Sequence, residues 1–252
     1  MRITFLGSGT SHGVPMIGCD CPVCCSDNPK NNRTRSSIYV ETETGCLVID
    51  TAPEFRIQVL RERIRRVDAI LFTHAHADHL LGLDDVRSFN GILRSAMPCY
   101  ALPETLDAVM RAFQYVFVPT QEGTSKPALE LIAVDGPFCA AGIPVTPIKV
   151  KHGILDILGY RIENFAYITD ASSIPDSSLA LLDNLDVLVL GVIRHQPHNT
   201  HFCVSEGLEV VKSLRPKATY FTHIAHNLDH QSTNSSLPSN IRLAYDGLKI
   251  TL

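Results

Sequence analysis

Thr73-His74-Ala75-His76-Ala77-Asp78-His79 follows the apolar run Ala69-Ile70-Leu71-Phe72. Three imidazoles and a carboxylate within six residues are a donor set suited to zinc, manganese or iron. Small Ala75 and Ala77 let the chain curl so that the donors meet around an ion. The competing reading is a solvated polar loop with a few hydrogen-bonded histidines. Against it, the same arrangement recurs: a short apolar run ends in a candidate ligand. Asp50 follows Leu47-Val48-Ile49, and His152 follows Ile148-Lys149-Val150-Lys151. Asp170 follows Tyr167-Ile168-Thr169, and His223 follows Tyr220-Phe221-Thr222. One Asp after a strand is ordinarily a turn or cap. Several such ends together point to the edge where layered sheets present functional side chains.

The surrounding pattern supports layers. Val/Ile/Leu-rich runs bounded by Gly, Pro, Asp or Asn predict strands at 3–6, 37–41, 46–50, 69–72, 99–102, 129–134, 144–150, 158–163, 166–169, 187–191, 218–222 and 248–252. Thr51-Ala52-Pro53-Glu54 reads as a capping box opening a helix over 55–64. Pro103 opens a second helix, with Leu106, Val109, Met110, Phe113 and Phe117 at helical spacing. A third covers 204–214, with Leu208, Val211 and Leu214 on one stripe. Strands interleaved with helices, in two loosely similar halves, predict an α/β (α+β) architecture of four layers, αββα, in one domain over 1–252.

Composition narrows the function classes. Of 252 residues, 45% are hydrophobic and 19% charged, which excludes long disorder and coiled coil. No apolar run reaches the roughly 18 residues of a membrane span. The net charge of −4 and the absence of Trp disfavour a nucleic-acid partner and favour a small-molecule substrate. The opening MRITFLGSG reads as a first strand and not a signal peptide, so the expected compartment is the reducing cytoplasm. There Cys19, Cys21 and Cys24, spaced C-x-C-x2-C, suit a metal better than disulfides. Cys25 adjoins the cluster and is an alternative ligand by spacing, whereas Cys46, Cys99, Cys139 and Cys203 read as small core residues. A homodimer has only the general prevalence of two-fold assemblies in its favour.

The order Asp50, His74/His76/Asp78/His79, His152, Asp170, His223 resembles the metallo-β-lactamase fold superfamily of metal-dependent hydrolases over nearly the whole chain. Gly7-Ser8-Gly9-Thr10, Gly13-Val14-Pro15, the segment from Gly18 to Cys24, Asn199-Thr200-His201 and Thr222-His223-Ile224-Ala225-His226 are similar to the phosphoribosyl 1,2-cyclic phosphate phosphodiesterases of phosphonate breakdown. The resemblance implies two divalent ions, zinc or manganese, that activate a bridging water. His74, His76 and His152 would hold the first ion, and Asp78, His79 and His223 the second, with Asp170 bridging both. Asp50 would orient an imidazole from behind. Cys19, Cys21, Cys24 and His226 would hold a structural zinc with no open position. His201 would give the leaving oxygen its proton, and Asp78 would be catalytic as well as a ligand.

The expected activity is therefore that of a phosphodiesterase opening a ribose-type cyclic phosphate. The alternatives are an RNA 3′-processing nuclease, a lactonase, a thioesterase, or a metal-binding protein without catalysis. Arg194-His195-Gln196-Pro197-His198 and Leu83-Asp84-Asp85-Val86-Arg87 match no motif of the phosphodiesterases, and His12 and His230 have no assigned role.

Overall fold

Apolar residues stand at consecutive positions in many strands because those strands are buried on both faces. In a computed structural model describing residues 1–119, 121 and 123–252, Leu47 and Ile49 face one core while Cys46 and Val48 face another. Val187 and Val189 likewise join the first core, and Leu188 and Leu190 a third. Period-two alternation thus sorts each strand between two hydrophobic layers.

The described residues form fourteen strands: β1 (Arg2–Gly7), β2 (Ser37–Glu41), β3 (Cys46–Ile49), β4 (Ala69–Leu71), β5 (Met97–Ala101), β6 (Leu129–Ala133), β7 (Phe138–Ala140), β8 (Ile143–His152), β9 (Leu155–Ile162), β10 (Phe165–Ile168), β11 (Val187–Gly191), β12 (Ala218–Thr222), β13 (Ile241–Leu243) and β14 (Lys249–Thr251). Two seven-stranded sheets run β14-β1-β2-β3-β4-β5-β6 and β13-β12-β11-β10-β9-β8-β7. The central core lies between them. Helices α1 (Phe55–Arg61), α2 (Ala77–Leu80), α3 (Arg87–Leu93), α4 (Pro103–Ala112) and α5 (Gln114–Phe117) precede the second sheet in the chain. Phe55 and Val59 of α1, with Leu106 and Val109 of α4, cover the outer face of the first sheet. After α6 (Asp176–Leu179), helix α7 (Val204–Leu214) covers the second sheet through Val211, Leu208 and Leu214, and α8 (His230–Ser236) precedes β13. This is the expected αββα sandwich.

Within each sheet the register carries the functional edge. Strands β3 to β6 are mutually parallel, as are β10 to β13. Strand β8 is antiparallel to β9, and β9 to β10, so β8 points the same way as β10. The carboxyl ends of β3, β4, β8, β10 and β12 therefore carry Asp50, Thr73-His74, His152, Asp170 and His223.

Some expectations are corrected. The capping box does not form: Glu54 is the N-cap and pairs with Arg35, while Thr51 Oγ1 donates to the Leu80 carbonyl at 3.2 Å. Helix α1 stops at Arg61 and not at 64, because Arg63 takes a left-handed φ of 56°. The helix opened by Pro103 breaks at Phe113, whose ψ of 37° leaves the helical basin. Cys139 is exposed on the short strand β7, unlike buried Cys46, Cys99 and Cys203. Strands β7 and β13 were not anticipated.

A knot at the opposite end of the chain joins β1, β2 and α1. Asp246 accepts from Ser8 N at 2.9 Å, Ser8 Oγ at 2.8 Å, Thr34 N at 2.9 Å, Thr34 Oγ1 and Arg61 Nη1 at 3.1 Å. Asp246→Ala strands two backbone donors. It is expected to cost about 3 kcal/mol, in the range for breaking a buried charged network. Urea unfolding measures this, and a loss below about 1 kcal/mol, the worth of one ordinary hydrogen bond, would contradict the assignment.

Candidate metal centre

Three of the strand-end residues have left-handed backbones: Asp50 at φ 64°, Asp170 at 55° and His223 at 57°. Asp and His tolerate this region better than most residues, and it turns each side chain toward the common edge as the strand ends. Strand β11 passes so close beside Asp170 that a Cβ on Gly191 would lie 2.8 Å from the Asp170 nitrogen. Glycine there makes room for the loop.

The side chains converge in overlapping groups, each with ligand atoms within 4.8 Å of one another: His74, His76 and His152; Asp78, His79 and His223; His74, His79 and Asp170; His152, Asp170 and His201. Asp170 belongs to two of these groups. Its Oδ2 lies 3.2 Å from His79 Nε2, and its Oδ1 lies 3.2 Å from His223 Nε2 and 3.5 Å from His201 Nδ1. One carboxylate is thus shared between the His74/His79 and the His152/His201 donor groups.

Hydrogen bonds behind the rings fix their tautomers. His152 Nδ1 donates to the Thr200 carbonyl at 2.7 Å, which leaves Nε2 as the lone-pair nitrogen. Thr73 Oγ1 gives its proton to Asp50 Oδ2 at 2.8 Å, so at 2.9 Å it accepts from His74 Nδ1. Asp50 Oδ2 also takes the Nδ1 proton of His79 at 2.7 Å. Asp50 therefore orients an imidazole, as the sequence led one to expect. Thr10 Oγ1 lies 3.2 Å from His223 Nε2. Thr10, Thr73 and the Thr200 carbonyl escaped the sequence reading. Thr73 carried a faint signal as the residue between strand and His74, whereas a backbone carbonyl carries none.

The donor set fits divalent ions. The buried nitrogens His74 Nε2 and His79 Nε2 have no hydrogen-bond partner among the described residues. Orphaned buried nitrogens on oriented rings are costly unless something binds them. Charge is distributed accordingly. Burial raises Asp78 and Asp170, but His79 and His223 outweigh it and hold both carboxyls below the usual range. Burial lowers His79, yet Asp170 and Asp50 lift it well above the ordinary imidazole value. His74 is pushed well down by burial and by His79, His76 is lowered by burial and His152, and His223 by burial despite Asp170. Burial raises Asp50 against the pull of His79. Burial also pushes His201 down to about 3 against Asp170, so its resting ring is neutral. His201 stacks on His223 at 5.0 Å between centroids.

The second cluster is separate. Cys19, Cys21, Cys24 and His226 offer ligand atoms within 4.8 Å of one another. His226 Nδ1 lies 3.2 Å from Cys19 Sγ and 3.3 Å from Cys21 Sγ. The Cys24 amide donates to Cys21 Sγ at 3.4 Å and draws that thiol down to about 6, while burial pushes Cys24 up to about 11. Three thiols and one imidazole suit tetrahedral zinc. Cys25 is exposed and outside this group. His195 is exposed, His12 and His198 line a cavity beside His201, and His230 lies in none of the donor groups.

This fold and donor edge define the metallo-β-lactamase superfamily, and the chain belongs to it: the profile of the β-lactamase superfamily domain matches residues 46–224. Within it, the chain is similar to a crystal structure of a diphosphatase from the PhnP family. The two share 45% identity and a TM-score of 0.93, over 100% of this chain and 97% of that one. It is 36% identical over 255 residues to an octanoyltransferase of Porphyromonas gingivalis, spanning 99% of this chain and 51% of that protein. A ribonuclease Z of Bradyrhizobium diazoefficiens is 37% identical over 142 residues, 54% of this chain and 46% of that protein. The chain thus spans about half the length of these curated relatives. No helix among the described residues is long and apolar enough to cross a membrane.

Proposed function

We propose that this chain is a metal-dependent phosphodiesterase that opens a cyclic phosphate of a ribose-type substrate. The observation that carries the reading is Asp170, whose carboxylate is shared by two donor groups, one with His74 and His79 and one with His152 and His201. The similarity to a diphosphatase over the full length supports phosphorus chemistry. In the proposal His74, His76 and His152 hold one ion, Asp78, His79 and His223 the other, and Asp170 both. Two such ions supply Lewis-acid polarisation and a water acidic enough to ionise near neutral pH.

The chain's own residues do the rest. Asp50, Thr73 and the Thr200 carbonyl hold His79, His74 and His152 in the tautomers that ligation needs. Asp78, 3.2 Å from His79 Nε2, is kept ionised by His79 and His223 against the effect of burial, as a ligand would need to be. Water adds to phosphorus, one ring P–O bond breaks, and the phosphomonoester stays on the same sugar. His201 faces the same edge and gives the leaving oxygen its proton, which the complex must supply because the resting ring is neutral. The Cys19/Cys21/Cys24/His226 group holds a structural zinc. It ties the N-terminal loop to the segment after β12.

A second reading, RNA 3′ processing, draws on the ribonuclease Z match. The net charge of −4 weighs against it. Metal-loaded protein tested on cyclic phosphodiesters, linear dinucleotides, a 3′-extended tRNA, lactones and thioesters decides between them. Turnover of cyclic phosphodiesters well above the other classes is expected. Preference for tRNA, or for lactones or thioesters, would replace the proposal.

A further inference from the structure

A cavity of about 560 Å³ opens at the β13 edge of the second sheet. Residues of β12, β13 and α8 line it, with the segment 28–30 and the stretch before β14. That volume is ordinary for a small-ligand site. None of the metal-donor residues borders it, so it is separate from both clusters described above. Tyr220 and Leu248, half-buried against the central core, form its apolar side.

Its charged groups are cations without acidic partners. Lys30 Nζ stands 4.4 Å from the centre of the Tyr245 ring, which holds the ammonium at the cavity. Arg242 Nη1 donates to the Pro238 carbonyl at 3.1 Å and the Ile241 carbonyl at 2.7 Å. Those acceptors are neutral, and the other guanidinium nitrogens are left to donate. Neither cation pairs with a carboxylate among the described residues, and no carboxylate lines the cavity among them. Asp229, beside His230 in the chain, is committed elsewhere: Oδ1 accepts from Ser232 N and Oδ2 from Asn31 Nδ2, each at 2.8 Å.

His230 adds an independent observation. Its side chain lines the cavity, the residue is only 8% exposed, and Nδ1 is buried with no hydrogen-bond partner among the described residues. The backbone amide is already used by Asn31 Oδ1 at 2.9 Å, and the ring stands edge-on to Tyr245 at 5.6 Å between centroids. A buried ring nitrogen with nothing to bind is costly unless a ligand meets it. Two unpaired cations with a buried imidazole are the recognition chemistry of an oxyanion.

We propose that Lys30, Arg242 and His230 form a binding site for a small multiply charged oxyanion, a phosphate or a dicarboxylate, remote from the metal centre. Its occupant is not the substrate, since no metal donor borders the cavity. The site adjoins the segment that follows His223 and His226. Asn31 Oδ1, which holds His230, also accepts from Arg33 Nη2 at 3.0 Å. Arg33 in turn donates to the Ala225 carbonyl at 3.2 Å and the Leu228 carbonyl at 2.8 Å.

The test titrates metal-loaded wild type, Lys30→Gln, Arg242→Gln and the double variant with inorganic phosphate, and separately with succinate, by calorimetry at low ionic strength. Both substituted residues are exposed, so the variants should fold, and their hydrolysis of bis-p-nitrophenyl phosphate should match wild type. Phosphate also binds at a metal centre, so stoichiometry separates the two places. Wild type should take up one anion per chain more than the double variant. Each single variant should weaken that extra event by about tenfold or more, as expected for one charge-assisted contact, and added salt should weaken it too. In protein labelled with ¹⁵N-histidine, the ring signal missing from His230→Gln should move as the anion binds. A stronger response to phosphate assigns a phosphate-bearing occupant, and a stronger response to succinate a carboxylate. Equal stoichiometry and affinity in wild type and the double variant would overturn the site, as would a His230 signal that neither anion moves.

Discussion

Asp170→Ala is expected to lower hydrolysis of bis-p-nitrophenyl phosphate by at least about a hundredfold, because a pair of ions held as proposed would together lower the barrier by several kcal/mol. Asp170 shares one donor group with His74 and His79 and another with His152 and His201; its Oδ2 lies 3.2 Å from His79 Nε2, and its Oδ1 lies 3.2 Å from His223 Nε2 and 3.5 Å from His201 Nδ1. No neighbouring carboxylate replaces it: Asp50 is committed to His79 and Thr73, and Asp78 faces the His79 side. Alanine therefore removes the group that would keep both ions against one water. Steady-state kinetics with metal content measured in parallel checks this. Near-normal turnover with both ions retained would take Asp170 out of the mechanism.

His201→Ala has the second-largest expected effect, and its size depends on the leaving group. If the ring protonates a basic leaving oxygen, its loss costs about 10²–10⁴-fold on a ribose cyclic phosphate. A p-nitrophenolate departs without a proton, so the loss on bis-p-nitrophenyl phosphate should be far smaller. A ligand behaves differently: His76→Ala should lose metal and fail on both substrates. His201 also approaches Asp170 and shares a donor group with His152, so metal content separates the two roles. Equal rate losses with both ions retained would make His201 a phosphate-positioning residue and not the acid.

Strand-end chemistry was the legible part of the sequence. His74, His152, Asp170 and His223 each follow a β-rich run, and the shared direction of those strands within each sheet brings the ends to one edge. Strands 37–41, 187–191 and 218–222 agree to the residue, since turn-forming or polar neighbours bound them sharply. The misses share a physical cause. Strands β7 and β13 have three residues each, too few for a periodic signal, and both sit at the sheet's outer ends. The capping box failed because the hydroxyl of Thr51 found a long-range carbonyl on Leu80, a contact with no local trace. Asp246 looks like an ordinary loop residue in the sequence. Only the fold brings Ser8 and Thr34 to it.

The most direct test of the central claim is a metal count during staged chelation, read beside phosphodiester turnover. The account predicts two classes of ion. A mild chelator should strip the open His/Asp pair and abolish turnover, and added zinc or manganese should restore it. A tetrahedral, thiolate-bound zinc should remain on Cys19, Cys21, Cys24 and His226 throughout, visible by X-ray absorption. Less than one ion per chain in carefully purified protein, or turnover that survives loss of the chelatable pair, would contradict it.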